Sequence, residues 1–123
     1  MNDLEISDLV GKTFISISGA SVDNDEIDFA TADGLKFRMY HSQDCCERVS
    51  IRQIDGDIQD LIGHPITMAE ESTNSDDSTG IEYPDSFTWT FYKFATVKGY
   101  VTITWLGESN GYYSERVELV EIK

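Results

Sequence analysis

Two stretches in the last third of the chain alternate with a period of two, and that limits the folds open to it. Residues 86–95 set Phe87, Trp89 and Phe91 against Thr88, Thr90 and Tyr92, and residues 99–106 set Val101, Ile103 and Trp105 against Tyr100, Thr102 and Thr104. Side chains alternate from face to face along a strand and follow a 3.6-residue period along a helix, so the pattern is that of pleated sheet. Aromatic residues fill one face and threonines the other, as in a sheet buried on one side only. Asn110-Gly111 comes next, and Asn-Gly between strand-like runs signals a tight hairpin. With residues 113–122 these runs predict a three-stranded antiparallel meander with an aromatic inner face.

The same period recurs upstream. Phe14 to Ser18 alternates and stops at Gly19; residues 26–31 and 35–41 flank the turn signal Ala32-Asp33-Gly34. Residues 48–54 carry Val49 and Ile51, with Ile54 one step out of phase, and residues 66–70 make a short strand. Helix is scarce: residues 3–10 and 57–62 have room for one or two turns each. Asp8-Leu9-Val10-Gly11-Lys12-Thr13-Phe14 resembles Asp60-Leu61-Ile62-Gly63-His64-Pro65-Ile66. Both read as a helical turn, a glycine cap and a strand. That junction is common, and seven residues fall short of a repeat, so it is taken as a junction rather than as a duplication. Residues 71–85 are polar and read as a mobile acidic loop. The 123 residues form one domain. The expected fold is β-rich (all-β or α+β), a small antiparallel sandwich or partly open barrel of about seven to eight strands with one or two short helical turns.

Composition enters where it separates this chain from a disordered acidic one. Apolar residues make up 40%, and six Phe, six Tyr and two Trp are enough for a core. Apolar runs are too short to span a bilayer, and Met1-Asn2-Asp3-Leu4-Glu5 has no apolar h-region, so the expected compartment is the cytoplasm. The two cysteines are adjacent, Cys45-Cys46; neighbours make a strained disulfide, so a reduced pair is expected.

The net charge of −14 is segregated. Residues 55–85 hold nine carboxylates and no Lys or Arg: Asp55, Asp57, Asp60, Glu70, Glu71, Asp76, Asp77, Glu82 and Asp85. The first 34 residues hold eight acids and one base, while residues 35–54 and 86–123 are close to balance. Such a field repels nucleic acid and acidic membranes and attracts basic partners. A row of carboxylates can imitate phosphates and occupy a groove built for nucleic acid. The nine residues, joined by Asp23, Asp25, Glu26 and Asp28, are therefore the candidate partner-binding set, for a basic protein expected to bind nucleic acid itself, with no direct contact to nucleic acid or membrane. The bland alternative is a solvated face that keeps the chain soluble.

Other candidates carry less. Arg38, His41, Arg48 and Arg52 are the local excess of base, and with Tyr112 and Tyr113 they form a candidate site for a small anionic ligand such as a nucleotide signal. His41, Cys45, Cys46 and His64 are ligand types for zinc, yet adjacent cysteines point in different directions and lack the usual spacing; no metal and no cofactor is expected. A nucleophilic cysteine with His41 or His64 as base would need an orienting acid, for which Asp44 and Glu47 are near. Asp55-Gly56-Asp57 with Asp60 lacks the spaced acids of an EF-hand and reads instead as a glycine turn with an N-capping Asp. No catalytic residue is assigned and a non-enzymatic protein is expected. An acidic β-protein could also dimerise through a sheet face or edge.

Several motifs together resemble a family of small acidic proteins from bacteriophage and prophage genomes. They are Tyr40-His41 with Asp44-Cys45-Cys46-Glu47, Asp60-Leu61-Ile62-Gly63 with Pro65-Ile66 and Ala69-Glu70-Glu71, Trp89-Thr90-Phe91-Tyr92 leading into Lys98-Gly99-Tyr100-Val101-Thr102-Ile103, and Ser109-Asn110-Gly111-Tyr112-Tyr113-Ser114-Glu115. The resemblance spans about residues 8 to 120 and implies a viral or mobile-element origin in bacteria. It implies no activity. Small acidic phage proteins without catalytic motifs often inhibit a host system stoichiometrically, so the expectation is an anti-CRISPR-like inhibitor of a host nucleic-acid-handling or defence protein.

Overall fold

The computed structural model describes residues 4–43, 46–74, 86–109 and 115–122. Its eight strands are β1 (Phe14–Ser18), β2 (Glu26–Thr31), β3 (Lys36–Tyr40), β4 (Arg48–Asp55), β5 (Met68–Asn74), β6 (Ser86–Thr96), β7 (Gly99–Ser109) and β8 (Glu118–Ile122). They make two four-stranded antiparallel sheets, ordered β1-β2-β3-β8 and β4-β7-β6-β5. Single 3₁₀ turns at Ile6–Leu9 and Ile58–Leu61 are the only helical elements among the described residues. None of them is long and apolar enough to cross a membrane.

Alternation builds the core. Register pairs Ile27 with Met39 and Phe29 with Phe37, and directly paired residues share a face. The opposite sheet supplies Phe94, Val101, Ile103 and Trp105, all fully buried. Phe14 lies against Phe29 with ring centroids 4.8 Å apart, and Phe94 reaches Phe29 from the other sheet at 6.2 Å. Burying each such ring contributes about 2–3 kcal/mol, so this trio is a main tie between the layers.

Three expectations need correction. In β6 the inward face carries Thr90, Tyr92 and Phe94 in place of Phe87, Trp89 and Phe91, although Phe87 is itself buried. The hairpin pairs Thr96 with Gly99, so Phe94 falls opposite Val101 and Tyr92 opposite Ile103; once the β7 aliphatics face the core, register sends Trp89 and Phe91 outward, where they are half-buried. β8 does not extend a meander from β7. It pairs with β3 in the other sheet, because β4 already occupies the free side of β7. Cys46 is disulfide-bonded rather than reduced; the chain's other cysteine, Cys45, lies outside the described residues.

Two further differences have local causes. The phase slip before Ile54 is a β-bulge: Ile51 pairs with Trp105 and Gln53 with Thr104, leaving Arg52 as the extra residue. Residues 71–74, expected in the loop, continue β5 along β6. The remainder of that loop, residues 75–85, and Asn110-Gly111 lie outside the described residues.

The two similar heptapeptides meet in space. Gly11 N–H donates to the Ile66 carbonyl and Gly63 N–H to the Phe14 carbonyl, each at 2.8 Å. Thr13 bridges Pro65. These partners hold matching places in the two segments, so the contact is a local two-fold. Gly11 and Gly63 both take positive φ, 90° and 88°, and Leu9 and Leu61 are both fully buried. The topology obeys the same relation. Each half runs 3₁₀ turn and four strands; the first three stay in one sheet, and the fourth crosses to lie beside the third strand of the other half. The geometry thus favours the internal-repeat reading that the sequence alone ranked second.

Candidate functional site

The strand directions define two ends of the sandwich. One end gathers Tyr40, Arg48, Ser109 and Glu118 and is called here the polar end. The other gathers Thr31, Lys36, Asp55 and Gly99 and is called the turn end.

At the polar end His41 leaves β3 and turns inward. Its Nδ1 lies 2.7 Å from the Arg116 carbonyl and its Nε2 lies 2.7 Å from Glu47 Oε2. The His41 and Glu47 side chains are 3% and 0% exposed. Gln43 donates from Nε2 to the Glu47 carbonyl at 2.7 Å and to Oε1 at 3.2 Å. Carboxylate and carbonyl oxygens both accept, so each ring nitrogen of His41 is directed at an acceptor. The connection before β4 is thereby tied to the segment before β8. Beside it, Glu115 lies over Gly107: a side-chain carbon at Gly107 would come 2.7 Å from Glu115 Cβ. Thr88 donates to Glu115 Oε1 at 2.8 Å, and Ser109 donates to Oε2. Buried polar groups cost stability unless bonded, and here they are bonded across four separate segments of chain.

This arrangement holds chain together and leaves little room for chemistry. Glu47, one of the two candidate orienting acids, does hold His41, but both nitrogens are engaged and Cys46 is oxidised, so no Cys–His nucleophile is assembled among the described residues. His64 sits at the turn end between Gly63 and Pro65, which bond to β1 and its approach. The length of the sheet separates it from His41, so the two cannot share an ion. Among the described residues no group of three or more His, Cys, Asp or Glu is placed to hold a metal. Asp57 caps the second 3₁₀ turn, accepting from the Gln59 N–H at 2.9 Å, which is the N-cap role read from the sequence.

The candidate anion-binding residues are dispersed. Arg38 lies on the outer face of the first sheet, bidentate to Asp28 at 2.8 and 3.1 Å and within 3.1 Å of Glu26. The hydrogen bond to Asp28 raises its pKa. Arg52 is bonded to Glu108 at 2.9 Å, Arg48 starts β4, and Tyr112 and Tyr113 lie outside the described residues. The carboxylates divide as well. Asp55, Asp57 and Asp60 are at the turn end, whereas Glu70 and Glu71 are exposed on β5, an edge strand. Asp76, Asp77, Glu82 and Asp85 lie outside the described residues. Asp23 and Asp25 belong to the loop that bonds to Ile51 of β4.

A cleft of about 470 Å³ opens between the N-terminal turn, β5 and β8. Glu5, Glu70, Glu71 and Arg116 stand on its walls, and Tyr92 forms part of its lining. Tyr92 is 3% exposed. Burial, and then the neighbouring Glu71 to which its hydroxyl is bonded, push the phenol's pKa far up. The phenol is therefore a neutral donor to Glu71.

Sequence reasoning did not single out Gln43, Tyr92, Thr88, Ser109 or Glu115 as a group. One signal was present: Gly107 inside an alternating strand marks a place where other chain approaches closely, and Glu115 is what approaches.

Fold and site together describe a two-sheet antiparallel β-sandwich with a hydrogen-bonded polar end and an acidic edge. The chain belongs to the family described as Domain of unknown function (DUF7448), whose model matches residues 7–119. No curated protein and no solved structure matches it.

Proposed function

We propose that this domain is a non-enzymatic binding protein whose acidic surface holds a basic protein partner. One observation carries the reading: among the described residues, none of Asp55, Asp57, Asp60, Glu70 or Glu71 takes part in an ion pair, while Lys12, Arg38 and Arg52 are committed to Asp33, Asp28 with Glu26, and Glu108. The carboxylates therefore keep their field, and an uncompensated field speeds and strengthens association with a basic surface. The resemblance to phage and prophage proteins supports the narrower form. There the partner is a nucleic-acid-handling or defence protein in the cytoplasm of a bacterial host, blocked stoichiometrically in anti-CRISPR fashion.

The test is a pull-down from bacterial lysate with tagged protein at low salt, followed by a high-salt wash. The expected result is a stoichiometric basic protein released by salt and lost when Asp55, Asp57, Asp60, Glu70 and Glu71 are all changed to Lys. Capture that ignores both salt and charge reversal would refute the electrostatic reading.

A further inference from the structure

We propose that the cleft between the N-terminal turn, β5 and β8 seats one Lys or Arg side chain of a polypeptide partner, with Glu5 and Glu71 as its counter-ions. The inference rests on the binding function proposed above and names the point at which the partner is gripped.

The volume of about 470 Å³ falls within the range of sites that enclose a small organic group. Its walls are of two kinds. Leu4, Ile6, Val117 and Leu119 are apolar and suit an aliphatic stem. Glu5 and Glu71 share those walls with Arg116, so carboxylates outnumber the one guanidinium and the ligand's head is cationic. A bare metal ion would leave the apolar walls unused. The Tyr92 hydroxyl donates to Glu71. A carboxylate has acceptor sites beyond the one that bond uses, so a bound ammonium or guanidinium can share Glu71 without displacing Tyr92. Glu71 pairs with Tyr92 and so shares its face, whereas Glu70 pairs with Lys93 on the opposite face of the same edge strand. Glu71 is carried by a backbone that β6 holds in register over seven residue pairs, so its charge is placed before the ligand arrives. That pre-organisation separates a seat from a diffuse acidic surface.

The probe is the peptide acetyl-Gly-Arg-Gly-Arg-Gly-Arg-Gly-amide, titrated at low salt into the full chain with its tyrosine rings isotopically labelled and followed by NMR. The Tyr92 ring signals are expected to shift saturably. Glu5→Gln with Glu71→Gln is expected to weaken binding about tenfold or more, because charged hydrogen bonds are lost, and to abolish the Tyr92 shift. Glutamine can still accept from Tyr92, so the melting temperature of that variant should stay close to that of the parent. Asp55→Asn, Asp57→Asn and Asp60→Asn together should leave the Tyr92 shift in place. If the peptide binds without moving Tyr92 and only the turn-end variant weakens it, the cleft assignment is overturned while the acidic-surface reading stands. If the peptide does not bind at low salt, both fall. If free L-arginine binds as tightly as the peptide, the polypeptide source is overturned.

Discussion

Replacing Glu47 by Ala is the most informative perturbation of the framework. The side chain is 0% exposed and receives His41 Nε2 at 2.7 Å and Gln43 Nε2 at 3.2 Å. Truncation removes the acceptor and leaves the imidazole, itself 3% exposed, facing a void. Leaving the buried partner of a carboxylate unsatisfied costs about 3–5 kcal/mol, mostly the penalty of the group left behind. At 123 residues and about 2.1 cal/mol/K of unfolding entropy per residue, that loss lowers Tm by about 12 to 19 °C. Urea unfolding would give the free energy directly, and the m-value would show whether the native state stays compact. His41→Ala with Glu47→Ala should cost less than the two single changes summed, since no orphan remains. Salt should not alter the effect, because the pair is dry. A Glu47→Ala protein within about 1 kcal/mol of the parent, or strict additivity with His41→Ala, would refute the argument.

Other consequences are simpler to check. Gly107→Ala sets a new carbon 2.7 Å from Glu115 Cβ and 2.9 Å from its carbonyl oxygen; the overpacking should cost about 1–3 kcal/mol in a denaturant titration. Leu9→Ala and Leu61→Ala remove fully buried side chains at matching places, so each should lose about 2–5 kcal/mol, and a loss confined to one of them would contradict the local two-fold. The hydrogen bond from Lys12, with that from Thr31, lowers the Asp33 pKa from 3.8 to about 2. A depressed carboxylate stabilises the fold above its unfolded pKa and loses that contribution as pH falls through the folded one. The Tm gap between the parent and Asp33→Asn should therefore be present at neutral pH, shrink between about pH 4 and pH 2, and narrow in high salt.

Strand placement was largely legible because alternation and glycine turns are local. The β2–β3 hairpin, β1, β4 and both 3₁₀ turns lie where the pattern put them. Partner choice was not legible. Nothing near residues 113–122 says that β8 will seek β3, and Asn110-Gly111 argued for its neighbour β7. Facing in β6 failed for a related reason: Trp89 and Tyr92 are both credible core residues, and only the Thr96–Gly99 register decides between them. Of the site, the charge segregation could be read directly, as could the proximity of His41 and Glu47. The cleft could not, since Glu5, Glu71, Tyr92 and Arg116 converge from four elements far apart in sequence.

The exchange of fourth strands has a consequence for how the protein is made. The first sheet needs β8, the last of the eight strands in chain order, to cover the free edge of β3. The second sheet borrows β4 from the first half. The second layer has its four strands once β7 is made, but the first stays incomplete until β8 follows, so the nascent chain carries an open β3 edge until then. Closure then depends on contacts across most of the sequence, which places folding in the slow, non-local regime. Once closed, neither half can leave without unzipping a strand from the other's sheet, so the molecule should unfold as one unit despite its two-part design.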